Sequence, residues 1–133
     1  MTSKVTYLGE LRTSSIHVLS GNEIISDAPL DNNGKGEAFS PTDTVANALA
    51  SCMFTVMGIK ARDLEVDFSG STAEVTKIMG IEPRRIITIE VNFKFSIHPD
   101  EKTKTILERT ALTCPVWFSL HPDIEKKIQF QWS

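Results

Sequence analysis

The sequence predicts an α+β fold in a single domain spanning residues 1–133, on three observations. Alternating apolar runs read as strands, an alanine-rich stretch from Ser40 reads as a long helix, and an amphipathic run from Glu101 reads as a second helix. At 133 residues the chain can bury one core without a disulfide or metal staple. No repeat, low-complexity tract or Pro/Ser-rich linker interrupts it, so one continuous fold is expected.

Val5–Leu8 and Arg12–Leu19, the latter with Ile16 and Val18 on alternate positions, suggest strands, with Glu23–Ser26 as a short neighbour. Asp27–Phe39 reads as a loop because Pro29, Asp31, Asn32, Asn33, Gly34 and Gly36 tolerate turn geometry. Ser40 suits a helix N-cap, Pro41 the first helical position, and Asp43 puts a carboxylate where the helix dipole favours one. The helix body runs to about Ala61, and Val45, Leu49, Cys52, Val56 and Ile59 form an apolar stripe at spacings of three and four. A short strand near Thr72–Met79 precedes the clearest strand, in which Ile87, Ile89, Val91, Phe93, Phe95 and Ile97 alternate with polar residues. His98-Pro99-Asp100 ends it. Glu101–Thr113 then reads as a helix with Ile106, Leu107, Thr110 and Ala111 inward, Cys114-Pro115 starts a short helix through Leu120, and Lys127–Trp132 closes as a strand.

A net charge of −3 with scattered lysines and arginines argues against nucleic acid as a partner, since a phosphate backbone calls for a concentrated basic surface. No run of roughly 18 to 20 consecutive apolar residues exists, and Met1–Glu10 has no signal-peptide layout, so a cytoplasmic protein without a membrane partner is expected. His17, His98 and His121 are dispersed, without metal spacing. Neither a serine-histidine-carboxylate arrangement nor a phosphate-cradling glycine loop is evident.

The two cysteines, Cys52 and Cys114, match neither a dense secreted disulfide framework nor a zinc motif. A thiol reduces a peroxide by attacking as the thiolate, and the resulting sulfenic acid condenses with a second thiol. That chemistry needs two cysteines close in space and a cation near the first. The sequence places both on helix faces that point to a core; buried cysteine also packs simply as a small hydrophobe. Trp117, Phe118, Met53, Phe54 and Met57 flank the pair and suit either a core or the wall of an apolar pocket.

The stretch Ser40-Pro41-Thr42-Asp43-Thr44-Val45-Ala46-Asn47-Ala48-Leu49-Ala50-Ser51-Cys52 resembles the central helix of the OsmC/Ohr family, and Cys114-Pro115-Val116 resembles that family's second cysteine motif. The resemblance covers nearly the whole chain. It implies an OsmC-like fold with antiparallel sheets wrapped around central helices, an intertwined homodimer, and a peroxide-reducing role favouring organic hydroperoxides, with no metal or organic cofactor. It implies Cys52 as the peroxidatic thiol, Cys114 as the resolving thiol, and an external dithiol of lipoyl or thioredoxin type as reductant. Arg12 resembles the activating arginine of the Ohr branch, whereas the OsmC branch takes its arginine from the loop before the central helix, where this chain has Lys35. Thr42 stands where the Ohr branch has glutamate, and the carboxylate falls at Asp43 instead, so Asp43 or Thr42 is expected to hold the arginine or, for Asp43, simply to favour the helix start. A non-catalytic dimeric binding module and a thiol redox sensor remain the competing readings.

Overall fold

The computed structural model describes residues 1–133, which cluster into two compact units, Met1–Val45 and Ala46–Ser133. The first unit is a three-stranded antiparallel sheet of β1 (Ser3–Gly9), β2 (Arg12–His17) and β3 (Glu23–Asp27) in sequence order. The β1–β2 turn carries Glu10 at φ 55° and Leu11 at φ 61°, the left-handed pair that a two-residue hairpin turn demands and that asparagine and glycine fill most easily. After β3 the chain makes a 3-10 turn at Leu30–Asn32 and folds back on itself, with Gly34 N–H donating to Pro29 O at 2.9 Å and Gly36 N–H to Ala28 O at 3.2 Å. A Cβ on Gly34 would lie 1.6 Å from the Ala28 carbonyl oxygen, so only glycine fits this crossing.

α1 (Pro41–Asp63) begins in the first unit and continues through the second. By length and composition it could cross a bilayer, yet its Leu49, Met53 and Met57 belong to the core of the second unit. The inward stripe is Ala46, Leu49, Ala50, Met53, Met57 and Ala61; of the residues the spacing suggests, Leu49 is buried and Cys52 and Val56 pack against the core, whereas Val45 is exposed and Ile59 is 60% exposed. Alanines alternate with Leu49, Met53 and Met57 on the close-packed face.

The second unit adds β4 (Thr72–Gly80), β5 (Arg85–Lys94), α2 (Glu101–Ala111), α3 (Pro115–Ser119) and β6 (Glu125–Gln131). Its sheet has the order β4-β5-β6, and it corrects the expectation of purely antiparallel sheets, because β6 pairs parallel to β5. The chain between these strands crosses over through α2 and α3, and a crossover of this length returns a strand in the same direction. Alternation along β5 holds for Ile89, Val91 and Phe93, but a register shift opposite Ile78 and Met79 turns Ile86 inward and leaves Ile87 exposed. Phe95 is buried beyond the strand's end, and its ring stacks on Trp132 at 3.9 Å between centroids. Phe54, Phe68, Phe93 and Phe130 extend this aromatic core. On α2, Leu107 and Ala111 are fully buried, while Ile106 and Thr110 are only half-buried.

Candidate functional site

Two groups of side chains carry chemistry, one in each unit. In the first unit the β2–β3 register sets Arg12 directly opposite Asp27. Arg12 Nε donates to Asp27 Oδ1 at 2.7 Å and Nη2 to Oδ2 at 2.8 Å, a two-pronged pair, and Nη2 also reaches Glu37 Oε2 at 3.2 Å. Asp27 is 1% exposed and accepts a third bond from the Glu37 backbone N–H at 3.1 Å. The Arg12 guanidinium, with that backbone bond, holds the Asp27 carboxyl below the usual range despite burial, and the two carboxylates fix Arg12 firmly in its charged form. The folded loop at Gly34 sets Glu37 over this pair. Neither carboxylate was suggested by the resemblance, which pointed to Thr42 or Asp43 as the residue holding the arginine.

At the start of α1, Asp43 N–H donates to Ser40 Oγ at 3.0 Å and Ser40 N–H donates back to Asp43 Oδ2 at 2.9 Å. This reciprocal pair satisfies two backbone donors at the helix start, so Asp43 contributes to the cap. Thr42 Oγ1 lies 3.2 Å from Ser40 Oγ. Lys35 acts on Asp27 only through its charge.

In the second unit the two cysteines meet. Both are free thiols; Cys114 is buried and Cys52 is partly buried against the same core. They share one core cluster and Cys52 acts on the Cys114 thiol, although Cys52 lies mid-way along α1 and Cys114 is the N-cap of α3. Pro115 at the first helical position makes Cys114 the cap, and its sulfur accepts the Trp117 backbone N–H at 3.3 Å. Burial pushes the Cys114 thiol up, the neighbouring Cys52 adds to the rise, and the Trp117 amide opposes it. The surroundings of Cys114 thus favour its protonated form.

Trp117 carries Lys126 Nζ at 5.1 Å from its ring centroid, whereas Phe118 projects outward. A cavity of about 820 Å³ in the second unit is an open groove along the far half of α1, lined by Phe54, Ile59, Arg62 and Phe68 among others, and includes neither cysteine. No group of three or more histidine, cysteine or carboxylate side chains is gathered to hold a metal ion.

The sequence profile of OsmC-like proteins matches residues 34–129. No curated protein matches in sequence. Among solved structures, the chain is 59% identical to a provisionally assigned osmotic stress induced and detoxification response protein from Psychrobacter arcticus, with 98% of this chain and 96% of that one covered at a TM-score of 0.96. An organic hydroperoxide resistance protein from Elizabethkingia anophelis shares the fold at 14% identity, a TM-score of 0.76 and coverage of 100% and 97%. One from Legionella pneumophila does so at 13% identity, a TM-score of 0.72 and coverage of 98% and 97%. A profile match over most of the length, joined to a relative of this identity, shows that the chain belongs to the OsmC-like protein family.

Proposed function

We propose that the chain is a cysteine-based thiol peroxidase that reduces organic hydroperoxides, and also hydrogen peroxide, with Cys52 as the attacking thiol and Cys114 as the resolving one. The observation that carries this reading is that both thiols pack in one core, near enough for Cys52 to act on the Cys114 thiol, with Cys114 enclosed and Cys52 keeping part of its surface. Cys52 sulfur attacks the distal peroxide oxygen, the O–O bond breaks, and the alkoxide leaves as ROH after taking a proton. Cys114 then attacks the Cys52 sulfenic acid, water leaves, and a disulfide forms. A dithiol of lipoyl or thioredoxin type returns both to thiols. The hydroperoxide resistance proteins that share the fold support the substrate class.

Arg12 is the cation we assign to thiolate stabilisation, held by Asp27 and Glu37; Thr42 and Asp43 shape the start of the helix that bears Cys52. A homodimer in a reducing cytoplasm completes the reading. Its support is the first unit, where the only buried side chains are Ser14, Asp27 and Ser40 while Val5, Tyr7 and Ile24 are each more than 60% exposed. A three-stranded sheet with no buried apolar side chain needs a cover.

The test is to treat the reduced protein with one equivalent of cumene hydroperoxide and map cysteines by mass. A rapid Cys52–Cys114 link, lost in Cys52→Ser, and repeated turnover with a dithiol are expected. A link without turnover would favour a redox sensor, and two unchanged thiols a non-catalytic binding module.

A further inference from the structure

We infer that the reductant enters the cycle at Cys52 Sγ alone, with Cys114 Sγ as the leaving group and the Trp117 backbone N–H as the donor that receives it. This rests on the Cys52–Cys114 disulfide proposed above and deepens it by fixing which sulfur the partner touches. Thiol–disulfide exchange needs the incoming thiolate in line with the S–S bond, behind the sulfur it attacks, so access to the two sulfurs decides the direction. Cys114 is 0% exposed, packed in the core with Leu107 and Ala111, and a path to its rear runs through that core. Cys52 keeps part of its surface. Association with a second chain can cover more of either residue but cannot uncover Cys114, so the ranking of the two survives assembly.

The first step forms a bond between the reductant sulfur and Cys52 Sγ and breaks the Cys52–Cys114 bond. The electron pair passes to Cys114 Sγ, which then takes a proton. In the second step the reductant's other thiolate attacks its own first sulfur, releasing Cys52 as thiolate and the reductant as an internal disulfide. Two electrons move from the dithiol to the protein.

Burial makes Cys114 a poorer leaving group than an ordinary thiol, and this opposes the direction. Occlusion outweighs it, because a poor leaving group slows exchange whereas a sulfur that cannot be approached does not exchange at all. The Trp117 N–H, already on Cys114 Sγ at 3.3 Å, offsets part of the penalty as charge arrives on that sulfur. The same arrangement selects against single thiols: once a monothiol sits on Cys52, the adjacent Cys114 expels it and re-forms the disulfide, whereas a dithiol carries its own second nucleophile.

The disulfide is made with diamide, which needs no peroxide, so this test stands or falls separately from peroxidase activity. The oxidised protein is mixed with a large excess of glutathione, quenched in acid within milliseconds to seconds, alkylated with N-ethylmaleimide and mapped by mass. The small fraction of mixed disulfide caught before Cys114 expels the glutathione should carry glutathione on Cys52 and maleimide on Cys114, in at least roughly ten-fold excess over the reverse. Equal labelling, or adduct mainly on Cys114, would overturn the inference, as would failure of diamide to join the two residues. The donor is tested with Trp117→Ala and Trp117→Pro, which both lose the indole while only the second loses the N–H. Reduction of the disulfide by dithiothreitol should be about ten-fold slower in the proline variant than in the alanine variant; equal rates would remove Trp117 from the step.

Discussion

Arg12 and Asp27 face each other across β2 and β3, and the buried carboxylate takes two prongs of the guanidinium at 2.7 and 2.8 Å. Asp27 is thus ionised more readily in the folded chain than in the unfolded one. A group whose carboxyl is held low stabilises the fold above its unfolded value, about pH 4, and that contribution drains away as pH falls through the lower folded value. Wild-type protein should therefore be more stable than Asp27→Asn at neutral pH, with the difference narrowing below about pH 4. Denaturant midpoints for both proteins across this range check it; a constant difference would show that the ion pair contributes nothing specific.

This pair was within reach of the sequence and yet not read from it. Once His17 and Asn22 bracket a hairpin turn, counting back five residues and forward five brings Arg12 against Asp27, but the register depends on a backbone bond between His17 and Asn22 that composition does not reveal. The helices and most strand positions were legible because hydrophobic period reports burial directly. The same signal misled at the two ends of the α1 stripe, where apolar residues occur on more than one face and Val45 and Ile59 turn outward. It also missed the β5 bulge, where one extra residue turns Ile87 outward without any change in composition. Of the site, the cysteines were legible by type, and their nearness only from the core that both join.

The β1–β2 turn places two ordinary residues, Glu10 and Leu11, in left-handed conformations immediately before Arg12. Each such residue costs about 1–2 kcal/mol relative to glycine, less for asparagine. The double variant Glu10→Asn/Leu11→Gly should raise stability by about 1–2 kcal/mol in a urea melt. Loss of stability would mean that the native side chains make compensating contacts worth more than the strain.

Ser40 and Asp43 exchange hydrogen bonds at the start of α1, the helix that carries Cys52. Ser40→Ala should lower stability by about 1 kcal/mol, and Ser40→Asp should restore most of it because aspartate caps equally well. Failure of aspartate to rescue would show that the hydroxyl serves something other than the cap.

The exposed apolar residues of the first unit, Val5, Tyr7 and Ile24 among them, make a specific demand of the assembled protein. Light scattering should give twice the 14.8 kDa chain mass, and Tyr7→Glu should weaken the association measurably. A monodisperse 14.8 kDa species in the wild type would leave this surface without the cover proposed for it.

The unequal burial of the two sulfurs predicts a sharp chemical difference in the resting protein. Alkylation needs a thiolate that reagent can reach, and Cys114 fails on both counts: it is enclosed, and its surroundings hold it protonated. With one equivalent of N-ethylmaleimide at pH 7, label should accumulate on Cys52, and Cys114 should react only after denaturant opens the core. Raising the pH should speed labelling of Cys114 far less than of a free cysteine, since ionisation alone does not create a path to the sulfur. Cys114→Ala should leave the Cys52 alkylation product unchanged and remove the thiol that closes the disulfide, so that excess hydroperoxide drives Cys52 to the sulfinic acid, two oxygens heavier by mass. If Cys114 instead labels first in the native protein, the roles of the two residues are reversed, and Cys114 becomes the thiol that meets the peroxide.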